Sequence, residues 1–435
     1  MMKVMVMALA LPVALAAQTP MDTTAHSISL DEAVALAQRN APATVQARGQ
    51  MRTANAAVKG AYAAFIPSIN VSASRSYQSS SRTTSRVENG QVVESQSPWN
   101  SGMGLGASLT LFDGGRRIFD VKTAKANVGA AAANEVSQRF TVALNVKQAF
   151  FNAQAARESE AAAEAQLKEA QEQLTVSVAK VKARAATKSD SLRSVIAVGN
   201  AQLAVLNAQN DLRTADATLT RLVATPYTVT PTDSDTLELS TFSLDSAQLA
   251  GLAEQGPAVE QAQAQLSAAH ASSRAARTPY LPSLSVSYQR NGNGPDMQYG
   301  LGAPFRYNTG WSFSLSYPLF NQLQREESVV RADVTEQNAK ASVRDARLAA
   351  NAQLTQYLGA LRTAQEQITI QTTSVTAAEE DLRVQEARYR LGDSVLLDVL
   401  TSQTALNQAR AALIQARLNY RVAKAQIEAL IGHDL

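Results

Sequence analysis

Apolar and polar residues alternate with a period of two in four stretches of the chain. Ile69, Val71, Ala73 and Tyr77 alternate with Ser68, Asn70, Ser72 and Ser76. Met103, Leu105, Ala107, Leu109 and Leu111 alternate with Gly102, Gly104, Gly106, Ser108 and Thr110. Leu284, Val286 and Tyr288, then Trp311, Phe313, Leu315, Tyr317 and Leu319, repeat the pattern against Ser312, Ser314 and Ser316. Each stretch predicts a strand with one apolar face. The turn-forming residues Glu88-Asn89-Gly90 and Asn291-Gly292-Asn293-Gly294 predict where each strand pair reverses.

The remaining pattern is helical. From Asp113 and Asn321, both good N-cap residue types, it continues for about 70 residues, a rod of roughly 105 Å at ~1.5 Å per residue. It turns near Ala186-Thr187-Lys188-Ser189 and Leu391-Gly392-Asp393-Ser394. The returning segments carry heptads. Val399, Leu406, Leu413, Tyr420 and Ile427 are each followed three residues later by Ser402, Ala409, Ala416, Ala423 and Leu430. Val198, Val205, Leu212 and Leu219 are followed in the same way by Ala201, Ala208, Ala215 and Leu222. The outbound helices match, with Leu167, Leu174, Val181 and Val375, Leu382, Tyr389. A period of 3.5 with small residues at alternate core positions predicts closely packed coiled-coil helices.

The chain is a duplication. Phe65-Ile66-Pro67-Ser68-Ile69 recurs as Tyr280-Leu281-Pro282-Ser283-Leu284, and Pro42 falls on Pro257 at the same spacing of 215 residues. A spacing of 208 aligns Phe112 with Phe320, Arg117 with Arg325, Leu174 with Leu382, Asp190 with Asp398, Leu192 with Leu400 and Leu222 with Leu430. The expected division is a first repeat at 30–224, with a β-hairpin at about 68–112 and a helical hairpin at about 113–224. A connector follows at 225–243. The second repeat is at 244–432, with its hairpins at about 283–320 and 321–432.

Composition sharpens this. The 435 residues would suggest about three globular domains, but the chain is 5% aromatic and rich in alanine, which fits long helices better than compact cores. The absence of cysteine excludes disulfides, thiolate metal sites and a lipidated anchor. A net charge of +3 over this length carries no nucleic-acid footprint. Lys3, the apolar run Val4 to Ala17 and its Ala-Leu-Ala-Ala end read as a secretory leader, 1–16, cleaved after Ala16 or Ala17. No later segment has the ~20 apolar residues of a spanning helix. An exported chain of this kind is soluble or enters a membrane as a β-barrel.

Two strands per half give four per chain, too few to close. An open sheet in lipid leaves unpaired edges, so closure needs several chains. Two chains would give eight strands, a barrel filled by its own side chains; three would give twelve, which suits a conduit. The apolar face would then meet lipid and Ser, Gly, Asn and Thr the lumen. Trp99, Tyr307, Trp311 and Tyr317 are candidates for the interfacial aromatic girdle. The plain alternative is a soluble hairpin with one buried face, and the leader favours the barrel.

The duplicated halves, the Pro-Ser-(Ile/Leu) entry to each hairpin, the Leu111-Phe112-Asp113-Gly114-Gly115 exit and Leu397-Asp398-Val399-Leu400 resemble the TolC-like outer membrane efflux protein family over about residues 28–432. That resemblance implies a mainly α fold with a β-barrel part. It is a duplicated helix-helix-β-hairpin-long-helix-helix unit, forming a trimeric twelve-stranded outer-membrane barrel continued by a periplasmic α-helical tunnel. It implies an outer-membrane location with most of the chain in the periplasm. The role implied is that of a passive exit duct for tripartite efflux or type I secretion. The implied partners are two further copies, outer-membrane lipid, a periplasmic adaptor and an inner-membrane pump of the RND or ABC type.

The resemblance also assigns candidate residues. Asp398 matches the family aspartate that follows the tip glycine, here Gly392, and Asp190 is its counterpart in the first repeat. Six such carboxylates in a trimer would form a cation-attracting constriction at the periplasmic mouth. The plain alternative is that both aspartates cap the returning helices. Thr401 stands where a second aspartate can occur and Ser394 where an arginine latch can sit, which implies a weaker negative ring and a different closing network. Thr187, Lys188 and Ser189, with Gly392, Asp393 and Ser394, are the candidate adaptor-docking tips; the first tip has no glycine.

Catalysis finds no support in the sequence. His26, His270 and His433 lack ligand spacing, and no metal or cofactor is expected. Gly102-x-Gly104-x-Gly106 lies within strand alternation rather than before a helix, unlike a phosphate loop. The rival class is a trimeric coiled-coil structural or adhesive envelope protein. Its barrel would be C-terminal, whereas here the hairpins interrupt the helices of both halves.

Overall fold

The structure is a computed structural model and describes residues 26–88, 90–232, 246–294 and 306–435. The expected leader, Asn89 of the first turn and connector residues 233–243 lie outside the described residues. The elements in order are β1 (His26–Ile28), α1 (Leu30–Asn40), α2 (Pro42–Ala63), β2 (Ser68–Glu88), β3 (Gln91–Phe112), α3 (Arg116–Lys182) and α4 (Lys188–Val223). They continue with β4 (Val229–Pro231), α5 (Ser246–Ala253), α6 (Pro257–Ala276), β5 (Ser283–Gly294), β6 (Arg306–Ser316), α7 (Gln324–Leu391) and α8 (Leu396–Ile431). At 67 and 68 residues, α3 and α7 are each about 100 Å long.

The chain divides into two compact units. One contains residues 42–141, 242–358 and 426–435 and holds the four-stranded antiparallel sheet, ordered β2-β3-β5-β6. Register aligns Ile69 with Ala107, Ala107 with Tyr288 and Tyr288 with Trp311, so odd positions of β2, β3 and β6 share a face with even positions of β5. That face carries the apolar residues of the sequence alternation. The opposite face carries Asn70, Ser72, Ser74, Gly102, Gly104, Gly106, Ser285, Ser287, Asn291, Asn293, Ser312 and Ser314.

The glycines of β3 have a packing reason. A Cβ on Gly104 would stand 2.8 Å from both Asn291 Oδ1 and Ser72 Oγ, and one on Gly106 would stand 2.5 Å from Asn70 Oδ1. Polar side chains of the flanking strands therefore lie across β3. This also explains why the expected reversal at Asn291–Gly294 is wrong. β5 continues through Gly294, paired with β3 on one side and, as far as Asn293, with β6 on the other.

Arg117 and Arg325 fasten the strand-to-helix junctions of the two repeats. Arg117 donates to the carbonyls of Ala64 (3.3 Å) and Leu111 (3.2 Å), and its guanidinium sits 4.8 Å from the Phe65 ring centroid. Arg325 donates to the carbonyls of Pro318 (3.0 Å) and Leu319 (3.4 Å) and stacks 4.9 Å from the Tyr280 ring. The caps differ. Asp113 Oδ2 accepts from the backbone N–H (3.2 Å) and Nε (2.9 Å) of Arg117. Asn321 does not serve as the expected side-chain cap: its Oδ1 is buried without a hydrogen-bond partner among the described residues, and only its backbone carbonyl receives the N–H of Gln324. Gly114 and Gly115 have positive φ, and at the equivalent positions so do Gln322 and Leu323.

The other unit contains residues 1–41, 142–241 and 359–425. Its helices bury the stripe Leu382, Tyr389, Leu396, Val399 and Leu406 as one cluster. β1 pairs in parallel with β4, His26 against Val229, a pairing that three-residue strands do not announce in sequence. Ser29 caps α1 by accepting from Glu32 N. On α4 the buried residues are Ser194, Ala201, Asp216, Leu219 and Val223, while Leu192, Val195, Ile196, Leu203 and Leu206 are exposed.

Candidate functional site

The two helical tips are built alike. At each, the outbound helix ends on a left-handed residue, Arg184 (φ 60°) or Gly392 (φ 92°), and the next N–H reaches back five residues. Ala185 donates to the Lys180 carbonyl and Asp393 to the Arg388 carbonyl, both at 2.9 Å. The glycine missing from the first tip is thus replaced by an arginine in the same conformation. Thr187, Lys188, Ser189, Gly392 and Asp393 are exposed and Ser394 is half-buried.

Both candidate aspartates sit at the third position of a returning helix and bind its start. Asp190 Oδ2 accepts from Thr187 N (3.0 Å) and Oγ1 (2.8 Å), and Thr187 Oγ1 accepts from Asp190 N at 3.3 Å, a complete capping box. In the second tip Val395 takes the place of Thr187, and its N–H donates to Asp398 Oδ2 at 3.4 Å. Ser394 supplies the missing hydroxyl, donating to the same oxygen at 2.8 Å. The serine at the latch position is therefore held within its own tip. Thr401 Oγ1 donates to the Leu397 carbonyl at 2.8 Å, inside its own helix.

Sequence reasoning placed Tyr389 only as a heptad core position. In the structure the Lys180 ammonium donates to the Tyr389 carbonyl and lies 4.2 Å from its ring centroid, joining the ends of α3 and α7. Burial, then the charge of Asp190, raises the Tyr389 phenol above its ordinary value. Further along, Arg410 pairs with Glu169 (3.5 Å) and Glu379 (3.1 Å). Burial raises the Glu386 carboxyl; Arg390 opposes that shift, and Glu169 and Glu172 add to it.

At the sheet, Trp99, Tyr307, Trp311 and Tyr317 are all exposed. Register puts Trp99, Tyr307 and Trp311 on the apolar face, and Tyr317 directly follows β6. Trp99 stacks edge-on against Tyr77 at 4.9 Å, and Trp311 lies 4.9 Å from Tyr288. Tyr307 and Tyr317 are ten residues apart in nearly continuous extended chain. With strands tilted as in membrane barrels, this spans about 25 Å of height, the apolar band of such a barrel. Trp311 falls between them.

A sheet with one largely apolar face and one neutral polar face, inserted in the sequence between helices of coiled-coil pattern, defines a membrane conduit of the barrel-and-helix type. The chain belongs to the outer membrane efflux protein family, whose sequence model matches residues 33–225 and 250–433. It is 26% identical over 392 residues to protein CyaE of Bordetella pertussis, covering 88% of this chain and 79% of that one. It is 23% identical over 406 residues to the pyoverdine export outer membrane protein OpmQ of Pseudomonas putida, covering 92% and 84%. Its fold matches that of CusC with a TM-score of 0.78 at 19% identity, over 94% of each chain. The protein is an outer-membrane efflux channel with a large periplasmic part, and the adhesive alternative is set aside. Channels of this family are trimeric and work with periplasmic adaptors and inner-membrane pumps.

Proposed function

We propose that this chain forms a homotrimer in which three sheets close into one barrel and six helical tips, two per chain, form the periplasmic mouth. The repeats at 30–224 and 244–432 each supply one strand hairpin and one helical hairpin, joined by 225–243, and the leader 1–16 is removed on export. The observation that carries this reading is the four-stranded sheet, largely apolar on one face and neutral and polar on the other, with β2 and β6 as its edges. Joining edges between chains satisfies the backbone in lipid. The exposed apolar residues of α4 supply a second contact surface for a neighbouring copy.

At the mouth, Asp190 and Asp398 form the constriction while also capping their helices, because each capping carboxylate keeps lone pairs for a passing cation. Lys180 and Tyr389 serve in place of the arginine latch. The tips, Thr187 to Ser189 and Gly392 to Ser394, receive a periplasmic adaptor, which links the channel to an inner-membrane pump of the RND or ABC type. The chain itself is a passive duct and catalyses no reaction. Photo-crosslinking from Lys188 and Asp393 in intact cells tests the docking. Capture of a periplasmic adaptor is expected, and crosslinks confined to this chain would reject the assignment.

A further inference from the structure

The apolar face of the sheet carries two arginines. Register places Arg75 among Val71, Ala73 and Tyr77, and Arg290 beside Tyr288 and opposite Leu105 and Thr309. No aspartate or glutamate shares that face at the described, paired positions 69–77, 99–109, 284–292 and 307–315. Each guanidinium lies over an aromatic ring, Arg75 at 4.2 Å from Trp99 and Arg290 at 4.8 Å from Tyr307. A cation turned toward lipid is unfavourable in the hydrocarbon and is tolerated where it meets headgroups.

Below Arg290 the same face is hollowed. A groove of about 340 Å³ runs over Tyr288, Trp311, Ala107, Val286, Leu109 and Pro67. Tyr288 is two residues from Arg290, one side-chain step along the same face of β5. From Tyr288 the groove leads away from the arginine toward the helical end of the sheet. Its lining covers three residues along β3 and β5, Ala107 to Leu109 and Val286 to Tyr288. It runs across the strands from Trp311 to Pro67, roughly 15 Å, which suits a segment of one fatty acyl chain. Its walls are β3, β5 and β6 with Pro67 just before β2, all of one chain, so no neighbouring copy is needed to complete it.

We infer that the lipid-facing side of β3, β5 and β6 is a binding site for a phosphate-bearing acyl lipid of the outer leaflet, with its phosphate on Arg290 and one acyl chain in the groove below. The inference rests on the outer-membrane placement of the sheet. The guanidinium gives charge-assisted hydrogen bonds to phosphate oxygens while its other face stays on Tyr307. Ala107 is the small residue that opens the groove between larger neighbours.

The test is native mass spectrometry of the full-length trimer released from detergent after incubation with bisphosphorylated lipid A, with a phosphate-free glycolipid of equal acyl number as control. Wild type is first shown to run as a heat-modifiable trimer from the outer-membrane fraction. A failure at that step refutes the channel reading rather than the lipid site. Lipid A retention is expected to exceed that of the glycolipid, to fall about 5–10-fold in Arg290→Gln and to survive in Arg290→Lys. Ala107→Phe, which fills the groove, is expected to lower retention while the trimer persists, and excess inorganic phosphate is expected not to displace the lipid. Equal retention of the two lipids, or of lipid A by wild type and Arg290→Gln trimers, would overturn the proposal. Displacement by inorganic phosphate would also overturn it, because it would leave the groove without a role.

Discussion

Arg184 and Gly392, 208 residues apart, close the two helical hairpins with the same left-handed backbone and the same 2.9 Å hydrogen bond, from Ala185 to Lys180 and from Asp393 to Arg388. The duplication preserved the turn and changed its residue. A left-handed conformation is unfavourable by roughly 1–2 kcal/mol for a residue with a Cβ and nearly free for glycine. The first tip therefore holds strain that the second does not.

Exchanging the residues should exchange the strain. Arg184→Gly is expected to stabilise the first tip, and Gly392→Ala to loosen the second, each by about 1 kcal/mol. Hydrogen exchange of the Ala185 and Asp393 amides reads this directly. The first should slow and the second quicken, each about five-fold. Unchanged exchange at both amides would show that the left-handed residues carry no strain.

Asp216 lies buried on α4, and burial raises its carboxyl to about 6, against the Thr230 hydrogen bond and the charge of Arg157 and together with that of Glu160. A carboxyl raised on folding binds its proton more tightly in the folded chain. It therefore lowers stability as pH climbs from about 4 through about 6, and the loss is complete above that. Asp216→Asn should stabilise the protein at pH 7 by about 1–3 kcal/mol and leave it little changed at pH 4. Thermal unfolding of both proteins at the two pH values checks this, and an equal difference at pH 4 and pH 7 would contradict it.

Leu203 and Leu206 are 60% and 61% exposed on α4, although they lie in a helix of coiled-coil pattern. If a neighbouring copy covers them, the double variant Leu203→Asp with Leu206→Asp buries two uncompensated charges. It should then convert the trimer to monomers. Size exclusion with light scattering measures the state, and a trimer unchanged in mass and thermal stability would place this face in solvent.

The sequence showed the strand hairpins and returning helices because their periods of two and 3.5 are imposed by burial, and residues 208 apart confirmed each other. Arg117 and Arg325 were legible as a repeated pair, but not as the staples joining strand and helix backbones, since carbonyl partners leave no mark in sequence. β1 and β4 were missed because three residues show no periodicity. Asn291 to Gly294 read as a turn for want of knowing that Asn291 and Asn293 lie across the glycines of β3, which makes the same residues favourable in a strand. Asn321 has the right type for a cap but the wrong geometry, and Arg184 hides a turn that glycine would have advertised. At the helical tips, the two aspartates were visible through the repeat. Lys180 was not, because its partners are a carbonyl and a ring in the other half of the chain.

Single-channel recording of the purified trimer in planar bilayers tests the central claim, that this chain is a conduit whose periplasmic mouth is ringed by Asp190 and Asp398. Wild type should give discrete conductance steps with cation preference and blockade by multivalent cations. Replacing both aspartates with asparagine should keep the steps, since asparagine still accepts the capping hydrogen bonds, and abolish preference and blockade. Absent steps in wild type would contradict the conduit, and unchanged selectivity and blockade in the double variant would contradict the ring.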